Sequence, residues 1–262
     1  MRLATWNINS VRARADRAVA YLERADVDVL ALQETKCKVE QFPYAPFEAA
    51  GYEVAVAGYS QWNGVAIISR VGLADVEVGF PGQPTWGEPP LAEARALGAT
   101  CGGVRVWSLY VPNGRELDHP HYPYKLQWLA RLRDHAGAHL AAEPDARVAL
   151  VGDWNVALED HDVWDIAVFE GRTHVTPAER DAVRAFEAAG FAEVSRRFLP
   201  APHTYTYWDY QQLRFPRNEG MRIDLTFASP ALAADVTGVT IDREERKGKG
   251  ASDHVPVILE IA

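Results

Sequence analysis

The stretch Val148-Ala-Leu-Val-Gly-Asp-Trp-Asn155 decides how the rest of the chain is interpreted. Its four apolar residues have the pattern of a short buried strand, and Gly152 allows a close approach of backbone. Asp153 and Asn155 then alternate onto one face where the predicted strand ends. A strand end of this kind can present polar groups to a ligand, although Gly-Asp-x-Asn is also ordinary turn chemistry. The other motifs of the chain decide between these two interpretations.

The composition indicates a globular protein with a substantial core. The chain has 262 residues, 48% of them hydrophobic, and no linker, low-complexity segment or short repeat divides residues 1–262. A single domain is therefore expected. Two cysteines, Cys37 and Cys101, cannot build a disulfide framework, which indicates a reducing compartment. Since the N-terminus has no apolar signal region and no long apolar run follows, we expect a cytoplasmic protein without membrane contact.

The net charge of -9 argues mildly against a nucleic-acid partner, because proteins that bind by counterion release are usually basic. Basic residues nevertheless cluster locally. Most such clusters are solvated faces, so they permit a polyanionic partner without demonstrating one. The clusters are Arg12, Arg14 and Arg17; Arg214, Arg217 and Arg222; and Arg243, Arg246, Lys247 and Lys249.

Apolar periodicity predicts both strands and helices along the chain. The predicted strands are Arg2–Ile8, Val27–Leu32, Tyr52–Ala57, Gly64–Ser69, Ala74–Val78, Val104–Pro112, Val148–Asn155, Tyr205–Trp208, Ile223–Phe227, Val236–Ile241 and Val255–Ile261. The predicted helices are Val11–Arg24, Tyr122–Ala142 and one that follows the Thr176-Pro-Ala-Glu179 capping box and ends near Ala189. The strands between Tyr52 and Val78 are expected to form a meander, and Phe80–Leu97 a surface loop.

A distant similarity within the chain supports two related strand ends. Leu3-Ala-Thr-Trp-Asn-Ile and Leu150-Val-Gly-Asp-Trp-Asn-Val both lead an apolar strand into Trp-Asn followed by an apolar residue. One such end in each half would fit a pair of packed sheets whose strand ends meet at one rim.

Polar residues recur at the ends of the predicted strands. They include carboxylates, amides, a tyrosine and a histidine, which are costly to crowd together unless a cation neutralises them. Hard oxygen donors favour Mg²⁺ or Mn²⁺, whereas zinc would favour more histidine and cysteine. Each residue alone has an ordinary alternative, such as a capping acid or a packing tyrosine. The set is Asn7, Glu34, Tyr110, Asp153, Asn155, Asp224, Asp253 and His254.

Ordered motifs then identify a family resemblance. They are Trp6-Asn-Ile-Asn9, Gln33-Glu-Thr-Lys36, Tyr110-Val-Pro-Asn-Gly114, Gly152-Asp-Trp-Asn155, Arg222-Ile-Asp224 and Ser252-Asp-His-Val-Pro256. From Arg2 to about Leu259 the sequence resembles the exonuclease III family of abasic-site endonucleases. The resemblance implies an α/β fold, a four-layer αββα sandwich of two packed mixed β-sheets flanked by helices, with the active site at one rim.

The resemblance also implies residue roles. Glu34 would be the principal ligand of one or two Mg²⁺ or Mn²⁺ ions, with Asn7 beside it and Asp253 nearby. Asp153 would activate the attacking water and Asn155 would orient it. The other implied roles are phosphate contact by His254, orientation of His254 by Asp224, and hydrogen bonding to phosphate or leaving group by Tyr110. The residues expected around the metal are Asn7, Glu34, Asp153, Asn155, Asp253 and His254.

The implied substrate is duplex DNA with abasic sites or 3′ ends. Residues matching Tyr207, Met221 and Ile223 would line a pocket for an extrahelical abasic sugar. Trp208 and Arg222 are expected beside that pocket, and Arg115, Arg214 and Arg217 would grip phosphates. The expected protein is a monomeric repair nuclease with 3′→5′ exonuclease, abasic-site endonuclease and 3′-phosphatase activities. The alternatives are another phosphoesterase of the wider superfamily, acting on inositol phosphates, sphingomyelin or RNA tails, and a non-catalytic DNA-binding module.

Overall fold

A computed structural model describes residues 1–262 and contains two six-stranded sheets and a two-stranded hairpin. The strands are β1 Arg2–Asn7, β2 Val29–Gln33, β3 Glu53–Ala57, β4 Val65–Ser69, β5 Ala74–Val78, β6 Thr85–Trp86, β7 Leu91–Ala92, β8 Ala96–Cys101, β9 Val104–Tyr110, β10 Val148–Asp153, β11 Ala192–Glu193, β12 Asp224–Ala228, β13 Val236–Ile241 and β14 Val257–Ile261. The α-helices are α1 Ala15–Arg24, α2 Tyr44–Ala49, α3 His121–Ala142, α4 Pro177–Ala188, α5 Ser195–Phe198 and α6 Pro230–Asp235. Short 3₁₀ turns cover Val11–Ala13, Val39–Gln41, Asp160–Asp162, Ile166–Phe169 and Arg243–Arg246. None of the helices combines the length and apolar character needed to cross a membrane.

The two large sheets have related topologies. The first has the order β13-β14-β1-β2-β4-β3 and the second the order β11-β12-β10-β9-β8-β5. Each is antiparallel except for one parallel pair, β1 with β2 and β9 with β10. Parallel strands end at the same edge of a sheet, so the last residues of these four strands share one rim.

Three apolar layers hold the sheets and helices together. The inner faces of the two sheets pack on one another through small and branched residues such as Leu3 and Val151. The tryptophan of each Trp-Asn motif faces outward instead, Trp6 against Tyr21 of α1 and Trp154 against Phe186 of α4. The layers therefore run helix, sheet, sheet, helix, and the predicted four-layer sandwich is confirmed.

Most predicted elements lie where expected, but three local predictions are wrong. β5 pairs with β8 in the second sheet, so β3, β4 and β5 do not form one meander. The segment Phe80–Leu97 contains the β6–β7 hairpin and the start of β8, so it is more than a loop. Tyr205–Trp208 is irregular, with isolated bridges from Tyr207 to Met221 and His254 in place of a strand. The helix α2 and most of β8 had no predicted counterpart.

Local chemistry explains how two elements near the rim are fixed. Gly152 in β10 has φ +150, and a Cβ there would overlap the carbonyl of Leu109 on the adjacent strand β9. Glycine is therefore required for β9 and β10 to pair at this point. The predicted capping box begins α4, because the Thr176 hydroxyl accepts from Glu179 N at 3.2 Å.

Candidate active site

Polar side chains from both sheets converge at the rim. Asn7 ends β1, and its Nδ2 donates to Glu34 Oε1 at 2.9 Å and to Asp153 Oδ2, at the end of β10, at 3.0 Å. One amide thus connects the two sheets. Asn7 is oriented by the backbone N–H of Asn9, which donates to its Oδ1 at 3.1 Å.

Glu34 follows β2 in a left-handed conformation, with φ 53, that turns its side chain toward the rim. Its Oε2 lies 2.6 Å from the ammonium of Lys36. Burial would raise the pKa of Glu34, but Lys36 and the Asn7 amide outweigh burial and lower it. Lys36 also donates to Asn9 Oδ1 at 2.6 Å, and Asn9 donates to Asp253 Oδ1 at 3.0 Å. Glu34 is therefore an ionised carboxylate that already faces a cation.

His254 lies between two buried carboxylates. Its Nδ1 donates to Asp224 Oδ2 at 2.8 Å, and its Nε2 is 3.8 Å from Asp153 Oδ2. Burial would lower the pKa of His254, but Asp224 and Asp153 outweigh burial and raise it to about 10. The imidazole is therefore positively charged at neutral pH and can bind an anion through Nε2.

For Asp153, in contrast to His254, burial outweighs the nearby opposite charge in setting the pKa. Burial, supported by the negative charges of Asp224 and Glu34, raises the pKa of Asp153 well above its usual range despite the nearby imidazolium of His254. A carboxyl group of this kind binds a proton more readily than an exposed aspartate. Its Oδ1 accepts the backbone N–H of Asn155 at 2.9 Å, so the carboxylate is held in one orientation.

Hydrogen bonds to both the nitrogen and the oxygen of its side-chain amide fix the orientation of Asn155. Its Nδ2 donates to the carbonyl of Val111 at 3.0 Å, and its Oδ1 accepts from Asn113 Nδ2 at 3.1 Å. The backbone of Asn155 is left-handed, with φ 53, a conformation that asparagine tolerates better than most residues. An amide has two N–H donors, so one remains for a ligand.

Tyr110 ends β9 beside these groups. Burial and the carboxylates of Glu34 and Asp153 raise the pKa of Tyr110 well above its usual range. The guanidinium of Arg95 acts in the opposite direction and lies 4.7 Å from the centre of the tyrosine ring. Because the phenol keeps its proton, Tyr110 can serve as a hydrogen-bond donor.

Most of these residues line a cavity of about 160 Å³, which we term the catalytic cavity, whereas Asn7 and Asp224 are buried and do not line it. It adjoins a groove of about 850 Å³, which we term the outer groove. Both include Asn113, His174, Tyr207 and Met221, so the small cavity lies at one side of the larger groove. The catalytic cavity is lined by Glu34, Tyr110, Asn113, Asp153, Asn155, His174, Tyr207, Met221, Ile223, Asp253 and His254.

The predicted substrate-binding residues divide into two groups. Tyr207, Met221 and Ile223 line the catalytic cavity, and the Tyr207 ring lies 4.8 Å from that of His254. Arg115 and Arg214 line the outer groove. Arg217 does not; its side chain is 60% exposed and lies 3.9 Å from Glu219.

Trp208 and Arg222 are buried and line neither the catalytic cavity nor the outer groove, so the structure does not bring them to the predicted substrate pocket. Trp208 is 1% exposed and packs against Tyr205 and Phe215. Arg222 is also 1% exposed, and its guanidinium contacts Glu193 and the hydroxyl of Ser195. The side chains before and after Arg222 face the cavity, and alternation along the extended chain turns the guanidinium into the protein.

Comparison with known proteins identifies the family. The profile described as the Endonuclease/Exonuclease/phosphatase family matches residues 4–254. The chain belongs to this family. It is 29% identical to exodeoxyribonuclease III of Haemophilus influenzae over 273 aligned positions, which cover 99% of each chain.

Two solved structures of the Endonuclease/Exonuclease/phosphatase type have nearly the same fold. The chain is 32% identical to an AP endonuclease from Archaeoglobus fulgidus, with a TM-score of 0.92 over 100% of this chain and 99% of the other. It is 34% identical to a 3′ phosphatase, NExo, from Neisseria bound to a product DNA hairpin, with a TM-score of 0.94 and the same coverage. The predicted resemblance to exonuclease III is confirmed, and the protein is an enzyme, a nuclease of that family.

Nucleases of the Endonuclease/Exonuclease/phosphatase family are generally dependent on a divalent metal. No three acidic, imidazole or thiol side chains converge here as a closed metal cage. Mg²⁺, however, typically takes one or two carboxylates, keeps several waters and shares substrate phosphates. Glu34 and Asn7 offer oxygen atoms of this kind, and Glu34 is already paired with the cationic Lys36. The donor set therefore fits a hard divalent cation.

Two residues of the cavity had no predicted part in the site. Asn113 belongs to the quoted Tyr110–Gly114 motif without a predicted contact in the site, and it donates to Asn155. His174 lies in the loop before α4, and its Nδ1 is 2.6 Å from the carbonyl of Asn155. Burial, together with the positive charge of Lys125, lowers the pKa of His174, so its ring is neutral. A single histidine in a loop has no spacing pattern, and only the capping box beginning at Thr176 marked the end of that loop.

Proposed function

We propose that this protein is a DNA-repair nuclease that hydrolyses phosphodiester bonds at abasic sites and 3′ ends of duplex DNA with Mg²⁺ or Mn²⁺. The observation that supports it most is the arrangement around His254. A buried imidazolium, a carboxylate with raised pKa and an oriented amide line one small cavity. This is the combination that hydrolysis of an anionic ester requires.

Asp153 and Asn155 would act on the attacking water. The water gives its proton to the Asp153 carboxylate while its oxygen attacks phosphorus. A base is most effective when its pKa lies near the working pH, and the raised pKa of Asp153 moves it in that direction. The free N–H of Asn155 would hold either the water or a phosphate oxygen in line.

His254 and Tyr110 would stabilise the phosphate. Negative charge develops on the non-bridging oxygens during attack, and both side chains are protonated donors. The leaving 3′-oxygen requires a proton or a cation as the P–O bond breaks. One or two divalent ions held by Glu34 and Asn7, with Asp253 nearby, would neutralise charge on the phosphate and leaving oxygen.

Substrate choice would depend on the wall of the catalytic cavity. Tyr207, Met221 and Ile223 form an apolar surface that a sugar without a base could contact, while a cavity of about 160 Å³ is small for a complete nucleotide. Arg115 and Arg214 would contact backbone phosphates in the outer groove. Since both sheets supply residues to one site, we propose that residues 1–262 act as one domain. We further propose that the protein acts as a monomer in the cytoplasm.

Three duplexes test this proposal. One carries a single abasic-site analogue, one has blunt ends and one ends in a 3′-phosphate, and each is incubated with Mg²⁺ or with EDTA. Incision 5′ to the lesion, removal of 3′ nucleotides and release of phosphate report the three activities separately. We expect the wild type to cleave with Mg²⁺ and not with EDTA. Glu34→Gln and His254→Gln should each reduce the rate of cleavage. DNA binding without cleavage under every condition would instead indicate a non-catalytic binding module.

A further inference from the structure

A buried ion pair lies directly behind the catalytic cavity. Lys125 is in the first turns of α3 and Glu179 is in the first turn of α4, and both side chains are 0% exposed. Their charged atoms are 2.5 Å apart. A buried pair of this kind rarely makes a fold more stable than well-packed apolar residues of similar volume would. Its presence at this position therefore calls for another explanation.

The ammonium of Lys125 connects three segments. Besides Glu179, its Nζ donates to the carbonyl of Asn155 at 2.7 Å and to the carbonyl of Asn113 at 3.2 Å. An ammonium has three donors, so all of them are used within the protein. Asn113 follows β9, Asn155 follows β10 and Glu179 belongs to α4. One buried atom thus fixes where these three chain segments lie relative to one another.

The carboxylate of Glu179 organises the loop that precedes α4. It accepts from His174 N at 3.0 Å, from Thr176 N at 3.1 Å and from the Thr176 hydroxyl at 2.8 Å. The Thr173 hydroxyl donates to it as well. This loop therefore bends around Glu179, and that bend brings the His174 ring against the carbonyl of Asn155.

The contacts from both residues meet at Asn155. Its carbonyl accepts from Lys125 and lies beside Nδ1 of the neutral His174 ring, while its side-chain amide contacts Asn113 and Val111. Asn155 has left-handed backbone geometry, which is unfavourable for a residue with a side chain unless its surroundings favour it. Two donors directed at one carbonyl favour that geometry and hence the direction of the amide that faces the cavity.

We propose that Lys125 and Glu179 are positioning residues, which hold Asn155 and Asn113 in the orientation that phosphodiester hydrolysis requires. The inference rests on the proposed function for its catalytic meaning. Neither side chain lines the catalytic cavity, so neither contacts substrate. Their effect reaches the reaction only through backbone carbonyls and the loop that carries His174.

The test replaces the pair as a unit. Lys125→Met with Glu179→Gln removes both charges while keeping similar volume, and glutamine still accepts hydrogen bonds from the loop. We expect this variant to unfold cooperatively near the wild-type temperature, kcat to fall at least about tenfold and KM to change less than about twofold. If the double variant does not fold, Lys125→Gln with Glu179→Gln serves for the same measurements, because it also removes both charges and leaves no unpaired charge buried.

Two comparisons separate positioning from general stability. Arg17→Met with Glu245→Gln removes another pair that contains a nearly buried carboxylate, 2.6 Å from its arginine, and should leave kcat unchanged. In an Asn155→Ala background, loss of the Lys125–Glu179 pair should change kcat less than about twofold, because the side-chain amide that the pair orients is gone. Full additivity of the two effects would overturn the proposal.

Hydrogen exchange gives a readout that does not need activity. In the variant that lacks the Lys125–Glu179 pair, the amides of residues 111–115 and 153–157 should exchange at least about tenfold faster than in the wild type. In the control that lacks the Arg17–Glu245 pair, they should exchange at the wild-type rate. Unchanged exchange would overturn the proposal, as would an unchanged kcat in an active enzyme. If the wild type cleaves none of the three duplexes, the proposed function fails, and exchange still decides whether the pair positions these loops.

Discussion

Removing the charge of Asp224 while keeping its shape isolates the electrostatic part of the site. Oδ2 of Asp224 accepts from His254 Nδ1 at 2.8 Å, whereas its Oδ1 is buried without a hydrogen-bond partner. In Asp224→Asn the amide oxygen can therefore still accept from His254 Nδ1, and the amide nitrogen can take the position of Oδ1 without breaking another hydrogen bond. The imidazole should keep its orientation but lose its positive charge at neutral to alkaline pH.

The size of the effect follows from the pKa of His254. The neighbouring carboxylates raise that pKa from 6.5 to about 10 against the effect of burial. Since each pKa unit corresponds to about 1.4 kcal/mol, the imidazolium is stabilised by about 5 kcal/mol, and Asp224 contributes the larger part of it. In the variant the pKa of His254 should therefore return most of the way to its ordinary value.

Activity should then depend on pH in a different way. We expect kcat of Asp224→Asn to fall about 10²- to 10³-fold near pH 8.5, where His254 would be neutral, and less than about tenfold near pH 6. The raised pKa contributes stability that is fully present below pH 6.5 and is lost as pH rises through about 10. The stability difference between wild type and variant should accordingly disappear at high pH.

The assay combines a pH–rate profile with an NMR titration of the His254 ring. Asp235→Asn, which removes an exposed acid paired with Arg147, is the matched control and should leave both curves in place. If the alkaline limb and the ring titration of Asp224→Asn coincide with those of the wild type, Asp224 does not control the charge of His254. A ring titration of the wild type near pH 6.5 would refute the assignment of His254 as a cation at neutral pH.

Three further predictions concern the metal, the DNA and the fold. Glu34→Gln should weaken Mg²⁺ binding about 10- to 100-fold by calorimetry, and unchanged affinity would place the ion elsewhere. Arg115→Ala and Arg214→Ala should each weaken DNA binding and reduce its log–log salt slope by about 1, measured by fluorescence anisotropy; an unchanged slope would mean no phosphate contact. Gly152→Ala should lower the free energy of unfolding by about 3 kcal/mol or more in denaturant titration, because its Cβ would overlap the Leu109 carbonyl. A wild-type midpoint would contradict that packing.

The sequence was most informative where a strand leads directly into a polar motif. Asn7, Tyr110 and Asp153 are terminal residues of strands, and period-two alternation fixes which face each side chain takes. Two other parts of the second sheet were not predicted. β8 has the sequence Ala-Leu-Gly-Ala-Thr-Cys, whose small residues show no clear alternation, and it follows a segment rich in proline and glycine. The pairing of β5 with β8 is a different case, because it depends on chain reversal through the segment that holds the β6–β7 hairpin, which local sequence does not specify.

Side chains outside regular strands were harder to predict, and Arg222 shows why. A basic residue beside a proposed pocket was expected to reach substrate, but Glu193 and Ser195 form a buried partner site for it on the other side of the sheet. Lys125 had no predicted role, yet it is buried beside the site. A lysine on an amphipathic helix usually reaches solvent, and only the distant Glu179 makes its burial possible. Such pairings arise from the tertiary fold and have no local signature.

The distribution of charge explains how a chain of net charge -9 can still bind a polyanion. Glu34, Asp153 and Asp253 line the catalytic cavity and Asp224 pairs with His254, whereas the cations in contact with these acids are Lys36 and His254. With all four acids ionised the centre carries more negative than positive charge, and the negative charges of Asp224 and Glu34 add to burial in raising the pKa of Asp153. A phosphate would be repelled from such a centre unless a cation enters with it. Metal and DNA should therefore each increase the affinity of the other, and thermodynamic linkage requires the two increases to be equal.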